Sequence, residues 1–578
     1  MAYSAGTAAP PHRPPAPSAR RSSAATWAED KIQVAESKWP WILATLMLID
    51  AVLLLYMGRG LTFYYDEWNF VTQDFGGGIH SLLLPHVGNI SVFPIAVYKV
   101  LFHIAGLNHY AVYRLVLISL HLLSAGLIFV LASRRIPRVP ALLAMALVLF
   151  LGAAWEDLLW AFQIGYMLSI AGGLAAWVLV EREDRLGDLG AMLCLIVAAG
   201  SSSLGIPVMV GIVVELAWQR HWRRGWLVAV PAVLYLMWYA GYGESQVTAE
   251  SLIHAPGFVA DLAAAAFGGL IGRALEWGRP LALLGLVVVV RRLLRPAPIT
   301  PRLAGLLATG VSLWIVTAAA RSTISVPETG RYMYLGAVVL VLVGVEFLRG
   351  VTIAPRAVAV ATLLVAFCAV TGLTALHAGS VGLRTTSKTV AAELGAMEIA
   401  AAYVPPSYQP DPQLAPQITA GPYLHTVRAM GSSAADTPSE IIASEPAIRT
   451  EVDSDLIKLE GGALIPAGPA QRLNSRLPLV ANVSGSNPIR GTHCWSTAAI
   501  GPGTYTEFLL PPHGLIVRAT SRPVQVVARR FAPLLGGVEL GSVAPAARSL
   551  VRFPVDTSGR PWFVRLASGS PSLVCGLG

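Results

Sequence analysis

Two adjacent acidic residues stand among three aromatic residues just after the first long apolar run of the chain, in the stretch Tyr64-Tyr65-Asp66-Glu67-Trp68. A carboxylate within hydrogen-bond reach of a hydroxyl group can accept its proton as a general base. Apolar and aromatic surroundings raise the pKa of such a carboxylate toward the working range. The aromatic rings could stack on a sugar. An aromatic belt with solvated acids at a membrane interface is the alternative interpretation of this stretch.

A second set of polar residues could join this pair in one site. Its members are His86, Asn89, Glu156, Asp157, Arg321, Glu328, Arg331 and Tyr332. The guanidinium group of arginine can bind phosphate through two parallel hydrogen bonds, so Arg321 and Arg331 are candidate phosphate ligands. Their alternative role is to cap the ends of membrane spans. Glu156 and Asp157 could hold hydroxyl groups or a divalent ion, and a solvated loop is the alternative for these two acids.

The composition requires a membrane around much of the chain. Of its 578 residues, 54% are apolar and 13% are charged. A soluble domain has about 25% charged residues, so this chain cannot cover itself with a hydrated surface in the usual way. Several apolar runs reach about 20 residues, which is the length that crosses a bilayer. An ordinary cytosolic enzyme and a disordered chain are therefore excluded.

The apolar runs predict about eleven membrane spans. They lie at about 39–58, 110–132, 141–154, 164–180, 189–200, 205–219, 226–241, 279–290, 303–320, 331–348 and 357–376. Lys and Arg are concentrated in the segments that this pattern places in the cytoplasm, which predicts an inside N-terminus and an outside C-terminal part. Orientation accounts for most of the net charge of +9, so no nucleic-acid partner is expected. The acidic pair and the second polar set then share the outer face of a plasma membrane.

Two of the outer loops in this pattern are long. The loop at 59–109 carries the acidic pair and an apolar stretch, 90–104, that we expect to lie on the outer leaflet. The loop at 242–278 contains an apolar, helix-like piece at 258–274.

Four regions follow from the pattern. They are a disordered cytoplasmic tail (1–38), a polytopic membrane domain (39–376), an extracytoplasmic helix and Pro-rich linker (377–480) and an extracytoplasmic, carbohydrate-binding-like β-sandwich (481–578). Short alternating runs separated by Gly and Pro predict the strands of the sandwich. Cys494 and Cys575 both lie in the exported part, where an oxidising environment allows them to form a disulfide.

The position of the acidic pair resembles that in the GT-C glycosyltransferases, a superfamily of membrane-embedded enzymes with polyprenyl-phosphate sugar donors. Its members carry an Asp-Glu, Asp-Asp or Asp-x-Asp pair in the first outer loop. Protein O-mannosyltransferases, lipid A aminoarabinose transferases and mycobacterial arabinofuranosyltransferases are examples. Asp66-Glu67 matches the pair in type and position, and Arg331-Tyr332 is a second similar pair. The resemblance covers 39–376 and implies a GT-C-like membrane domain.

On this resemblance, Asp66 would be the catalytic base and Glu67 would orient the acceptor or the site. The substrates would be bound by Arg331, Arg321, Tyr332, Glu328, Glu156, Asp157, His86, Asn89, Tyr65 and Trp68. The implied partners are a lipid-linked sugar donor, membrane lipid, and a glycan, lipid or protein acceptor. No cofactor is expected, because no clear Asp-x-Asp accompanies the pair and nothing in the sequence supports the divalent cation that Glu156 and Asp157 could hold.

The resulting hypothesis is a bacterial glycosyltransferase of cell-envelope or cell-wall synthesis that acts at the outer face of the plasma membrane. A secondary transporter is an alternative, for which Asp50 and His121 are the midplane candidates. For each of them, hydrogen bonding or packing within the bundle is the favoured interpretation. A non-catalytic anchor or sensor for an extracellular glycan-binding domain is a further alternative, as is a polymerase or ligase with diphosphate donors.

Overall fold

The chain is a multi-span helical membrane protein with a C-terminal β domain. The structure, a computed structural model, describes residues 37–86, 88–273, 275–295, 299–468, 477–497, 503–567 and 571–577. Within these ranges, nine helices are long and apolar enough to cross a membrane. The predicted fold class is confirmed in its two main parts, the multi-span helical domain and the C-terminal β domain. Residues 1–36 of the predicted cytoplasmic tail lie outside the described ranges.

The α-helices are numbered here in chain order. They are α1 (Trp39–Met57), α2 (Glu67–Asn69), α3 (Val92–Ala105), α4 (Tyr110–Ser133), α5 (Arg138–Leu149), α6 (Trp155–Leu159), α7 (Ile164–Val180), α8 (Arg185–Ser201), α9 (Gly205–Trp218), α10 (Trp226–Tyr242), α11 (Ala249–Leu270), α12 (Leu275–Leu293), α13 (Pro301–Arg321), α14 (Gly330–Leu348), α15 (Pro355–Ile399), α16 (Ala420–Met430), α17 (Pro438–Ala443) and α18 (Pro446–Glu460).

Helix α15 differs most from the prediction. The sequence predicts a span at 357–376 and a separate helix-like segment further on, but a single helix of 45 residues runs from Pro355 to Ile399. At 1.5 Å per residue it is about 67 Å long, roughly twice the thickness of a hydrocarbon core. No proline interrupts the helix after its first residue, so nothing in its backbone forces a break. The helix therefore leaves the bundle and carries the C-terminal part.

Helix α11 has the length and composition of a span, yet both of its ends contact the same end of the bundle. The Ser251 hydroxyl donates to the Ala319 carbonyl at 2.7 Å, close to the C-terminus of α13. At the other end, the Thr371 hydroxyl donates to the Ile271 carbonyl at 2.7 Å. Because α13, α14 and α15 are joined by short connections and alternate in direction, Ala319 and Thr371 lie toward the same end. Helix α11 thus lies along that end, within the long loop predicted at 242–278.

The C-terminal part contains two antiparallel sheets. The strands are β1 (Ala463–Pro466), β2 (Val480–Ser484), β3 (Ile489–Arg490), β4 (Cys494–Thr497), β5 (Tyr505–Leu509), β6 (Leu515–Ala519), β7 (Val524–Arg529), β8 (Val538–Val543), β9 (Arg548–Arg552), β10 (Phe563–Ala567) and β11 (Ser572–Gly576). One sheet has the order β1-β9-β6-β11-β4-β3 and the other has the order β2-β5-β10-β7-β8. Phe508 of one sheet and Val517 of the other belong to one hydrophobic core, so the two sheets pack face to face.

Two details of the predicted boundaries change. Strand β1 pairs with β9 although it precedes the predicted start of the sandwich at 481. The Pro-rich stretch that the sequence predicts as a linker is packed against the bundle, because Ala415 and Ile418 are fully buried in the bundle core. This stretch therefore forms part of the globular structure.

The predicted disulfide is confirmed. Cys494 and Cys575 are bonded, and they are direct neighbours in the register of β4 and β11. The bond closes a loop with a sequence separation of 81 residues. Cys194 and Cys368 are free and lie on α8 and α15.

Removal of this cross-link should weaken the β domain selectively. A cross-link that closes a loop of this length lowers the conformational entropy of the unfolded chain, which stabilises the folded state by about 4 kcal/mol. We expect the double variant Cys494→Ser/Cys575→Ser to lower the free energy of unfolding of the β domain by about that amount. Guanidinium titration of the detergent-solubilised protein, followed by tryptophan fluorescence, measures the change. Cys368→Ser is the control, and equal midpoints for the double variant and the wild type would contradict the prediction.

Candidate functional site

One cavity at an end of the helical bundle gathers residues from five separate parts of the chain, and this end is called the site end below. The empty volume of the cavity is about 550 Å³. The polar residues that line it include Asp66, His86, Asn89, Gln163, Tyr166, Ser202, Arg321, Arg331 and Tyr332. Six of these residues belong to the sets that the sequence predicts.

A sharp turn separates the side chains of the acidic pair. Tyr65 has a φ of 47°, a left-handed conformation that is uncommon for a residue with a side chain. Asp66 follows at the N-terminus of α2, and its side chain lines the cavity. Glu67 begins α2 with its side chain fully buried. The two carboxylates therefore have different surroundings although they are neighbours in the chain.

Glu67 is held inside the bundle by three donors. The hydroxyl of Tyr98 donates to its Oε1. The hydroxyl of Tyr110 and the backbone N–H of Tyr64 donate to its Oε2 at 3.0 and 3.1 Å. Burial raises the pKa of Glu67 to about 8, against the opposing effect of these hydrogen bonds. Because Glu67 does not line the cavity, its place in the structure is that of a positioning residue.

Asp66 combines exposure to the cavity with a cationic environment. Burial raises the pKa of Asp66, while the charge of Arg331 and a hydrogen bond from Gln417 oppose that shift. The Gln417 amide nitrogen donates to Asp66 Oδ1 at 3.0 Å. Asp66 is thus a partly buried carboxylate that can exchange a proton with a group in the cavity.

Arg331 reaches the cavity from the first turn of α14 and is anchored by Glu156. Its backbone N–H donates to Glu156 Oε2 at 3.3 Å, and its Nε lies 3.9 Å from the same oxygen. Its guanidinium carbon lies 5.6 Å from the ring centroid of Tyr332. Arg321, from the last turn of α13, lines the same cavity. The two arginines and Asp66 therefore face one space.

Glu156 and Asp157, which the sequence predicts to bind substrate, do not lie in a solvated loop, which was the alternative interpretation. The two acids lie in the short helix α6, and Asp157 is fully buried. Asp157 does not line the cavity, whereas Glu156 contacts Arg331. The bundle buries α6 because the residues around the acids, such as Leu158 and Leu159, are apolar and fully enclosed. Among the described residues, no group of three His, Cys, Asp or Glu side chains could hold a metal ion.

Three further predicted residues lie outside the cavity. Trp68 is fully buried and packs against Phe63, so it cannot stack on a sugar. Tyr65 is exposed to solvent over 38% of its surface but does not line the cavity. Glu328 is exposed on the loop between α13 and α14, also away from the cavity lining. The aromatic turn and the loop geometry explain these differences, because adjacent side chains in a tight turn point in different directions.

Asp50 and His121 form a pair inside the bundle. His121 Nε2 lies 3.3 Å from Asp50 Oδ2, and His121 Nδ1 lies 2.7 Å from the Tyr334 hydroxyl. All three side chains are almost fully buried. His121 is therefore a buried, packed histidine, which agrees with the favoured interpretation, and Asp50 is enclosed beside it within the bundle.

The sequence prediction missed several residues of the site. Gln163 and Tyr166 lie at the start of α7, and Ser202 follows α8. Each of these residues is polar and lies near the end of an apolar run, and this position could have identified it as a candidate site residue. Gln417 had no local signal, because it follows Asp66 by 351 residues and lies in a Pro-rich stretch.

A second cavity adjoins the first. Its empty volume is about 790 Å³, and it shares Asn89, Tyr166, Arg321 and Tyr332 with the lining of the first cavity. Apolar residues of α9 and α13, such as Pro207 and Leu313, form one part of its wall, and polar residues such as Glu244 and Gln246 form another. The site therefore adjoins a larger cavity whose lining is partly apolar and partly polar.

Three solved glycosyltransferase structures are similar to this chain. ArnT from Cupriavidus metallidurans, bound to undecaprenyl phosphate, is 15% identical, with a TM-score of 0.42 over 64% of this chain and 81% of its own. The arabinosyltransferase EmbB from Mycobacterium smegmatis is 14% identical, with a TM-score of 0.32 over 92% of this chain and 64% of its own. The arabinofuranosyltransferase AftD from Mycobacteria is 12% identical, with a TM-score of 0.37 over 93% and 61%.

No protein-family model and no curated protein matches the chain. All three TM-scores are below 0.5.

The environment of Glu67 predicts a pH dependence of stability. Its pKa of about 8 in the folded protein is higher than the ordinary value of 4.5, so the folded state binds a proton that the unfolded state releases between these values. The stabilisation is complete below about pH 4.5 and is lost as the pH rises through 8. We expect the loss in Tm between pH 5.5 and 8.5 to be smaller in Glu67→Gln than in the wild type. Thermal melts in detergent measure this, with the exposed Glu276→Gln as control. Parallel curves for Glu67→Gln and the wild type would contradict the prediction.

Proposed function

We propose that this protein is a glycosyltransferase that moves a sugar from a polyprenyl-phosphate donor to an acceptor hydroxyl. One observation carries the proposal. Asp66, Arg321 and Arg331 line the same cavity, and a second cavity, whose wall includes apolar residues of α9 and α13, adjoins it. A base, two phosphate ligands and a place for a lipid chain are the parts that such a transfer needs.

The geometry supports a single displacement. The acceptor oxygen attacks the anomeric carbon while Asp66 accepts the hydroxyl proton. The bond from the anomeric carbon to the phosphate oxygen breaks, and the polyprenyl phosphate leaves with the bonding electron pair. Arg331 and Arg321 stabilise the negative charge that develops on this phosphate. Asp66 then loses its proton to water once the product leaves.

The surroundings of Asp66 suit the role of a base at near-neutral pH. Burial raises the pKa of Asp66, and the charge of Arg331 opposes that shift. Glu67 is sealed from the cavity by its tyrosine partners, so it supports the loop and does not contact substrate. Glu156 fixes the position of Arg331 through its backbone and side chain.

We place the site at the outer face of the plasma membrane, with the N-terminus in the cytoplasm. The distribution of Lys and Arg supports this orientation. The disulfide between Cys494 and Cys575 agrees with it, because disulfides persist in oxidising compartments. In this orientation the β domain is extracytoplasmic and the acceptor is a cell-envelope glycan, lipid or protein.

The transporter alternative depends on polar groups that are free to exchange ions at midplane. Asp50 and His121 are instead paired with each other and enclosed, with His121 also bonded to Tyr334. The polar groups that face open space lie at the site end. This distribution favours the transferase.

Removal of the base should abolish transfer. We expect Asp66→Asn to lower the turnover number by about 10²–10⁴-fold, which is the contribution of a positioned general base. The assay is the release of polyprenyl phosphate from mannosyl-, arabinosyl- and glucosyl-phosphoryl undecaprenol in proteoliposomes, with a mixture of cell-envelope glycans as acceptor. Glu276→Gln, an exposed acid at the start of α12, is the matched control. Full activity of Asp66→Asn would refute the mechanism.

Loss of the cationic phosphate ligand should weaken donor binding. A hydrogen bond to a charged group contributes about 1.5–3 kcal/mol, so we expect Arg331→Gln to raise the Kd for undecaprenyl phosphate by about 10–100-fold. Arg331→Lys should recover only part of the affinity, because it keeps the charge and loses the bidentate geometry. Titration of nanodisc-embedded protein with undecaprenyl phosphate measures both variants. An unchanged Kd for Arg331→Gln would remove this residue from the donor site.

A further inference from the structure

The C-terminal part of the chain contributes a side chain to the environment of the proposed base. The amide nitrogen of Gln417 donates to Asp66 Oδ1 at 3.0 Å, across 351 residues of sequence. In the part of the chain that the structure describes, this is the side-chain hydrogen bond that the Asp66 carboxylate receives. The base on the membrane bundle is therefore contacted by a segment that follows all of the candidate spans.

The backbone around Gln417 is fixed by packing and hydrogen bonds. The next residue, Ile418, is fully buried in the core of the bundle. The N–H of Ala420 donates to the carbonyl of Tyr408, and the N–H of Gly421 donates to that of Pro406, both at 2.9 Å. These bonds close the Pro-rich stretch into a compact loop. The amide of Gln417 thus has a defined position when it meets Asp66.

The chemistry of the amide fits a donor to an ionised carboxylate. Gln417 carries no charge at any pH, so it offers a donor without neutralising Asp66. Its Oε1 is buried, and within the described ranges it has no hydrogen-bond partner. The reverse orientation of the amide would place two acceptors against each other. The hydrogen-bonding needs of Gln417 itself therefore do not explain its position, whereas the contact with Asp66 does.

Helices α15 and α16, which flank this loop in the chain, also contact the segment that carries Asp66. The N–H of Thr62 donates to the Ser387 hydroxyl at 3.2 Å. The Trp68 and Tyr423 rings are in edge contact with centroids 5.9 Å apart. A displacement of the C-terminal part would therefore disturb both the loop and the hydrogen bond to Asp66.

We propose that Gln417 is a positioning residue for Asp66, whose amide donor stabilises the ionised carboxylate, so that the C-terminal part completes the active site. This inference rests on the proposed function. It assigns to the C-terminal part a role in catalysis, beyond any binding of glycan. Burial raises the pKa of Asp66, and the hydrogen bond from Gln417 opposes that effect. Without the amide donor, Asp66 should therefore require a higher pH to act as a base.

Other groups also face Asp66. Arg331 and Arg321 approach from α14 and α13, and His86 and Tyr64 approach from the loop that carries Asp66. These groups are unchanged in a Gln417 variant. A difference between the pH profiles of the variant and the wild type therefore reports on the amide.

The test is the pH dependence of turnover for Gln417→Leu in the full-length protein. The probe is the undecaprenyl-phosphate sugar that the wild type turns over, and the readout is the release of undecaprenyl phosphate between pH 5 and 9. We expect a loss of about 10–100-fold at pH 5.5, because a hydrogen bond to a charged group contributes about 1.5–3 kcal/mol. The loss should shrink as the pH rises toward 8.5, since a higher pH favours the ionised carboxylate in both proteins.

Two further variants make the outcome decisive. Gln417→Met keeps the length of the side chain and removes the donor without adding a charge, so its acidic limb should also move to higher pH, and it carries the test if Gln417→Leu does not fold. Gln413→Leu, an exposed glutamine in the same loop, should match the wild type. A uniform loss at every pH, or no loss at all, would overturn the proposal. Inactivity of the wild type toward every donor would instead refute the proposed function.

Discussion

The arrangement of the site depends on the hydrogen bonds that the buried carboxyl group of Glu67 accepts. A carboxyl group removed from water costs several kcal/mol unless hydrogen-bond donors surround it. The hydroxyls of Tyr98 and Tyr110 and the N–H of Tyr64 supply those donors. Tyr110 also accepts from the N–H of Ala161 at 3.0 Å, which links this cluster to the start of α7. The loop can satisfy Glu67 only in this position, and the left-handed turn before α2 then directs Asp66 to the opposite side, into the cavity.

The charges of the site are balanced across helix ends. The two arginines come from the last turn of α13 and the first turn of α14, which are joined by a short loop, so they reach the cavity side by side. Glu156 from α6 pairs with Arg331, while Asp66 faces both arginines. The cavity is thus lined by two guanidinium groups and one carboxylate. A lining of this kind suits a ligand that carries negative charge.

The sequence was most informative about properties that depend only on the order of residues along the chain. Apolar runs identified most of the helices, and the placement of Lys and Arg predicted that Asp66, Arg321 and Arg331 share one face, which agrees with their common cavity. The direction of a side chain depends instead on contacts between residues that are distant in the chain. The φ of 47° at Tyr65 and the enclosure of Trp68 depend on packing between distant helices, so neither could be read from the stretch itself. Gln417 lies beyond prediction for the same reason, because its contact depends on how a Pro-rich loop packs against the bundle.

The polar groups of the site end are either fully enclosed or exposed to the cavity, and this difference in exposure separates their roles. Glu67 and Asp157 are fully enclosed, so a substrate cannot reach them without opening the bundle. Asp66, Arg321 and Arg331 line open space. In a chain with only 13% charged residues, an enclosed acid is costly, and it persists where it fixes the backbone of a neighbour that must stay accessible. The two adjacent acids in the first loop thus differ: Glu67 holds the turn, and Asp66 lines the cavity. The motif functions as a unit because a single turn separates its two side chains.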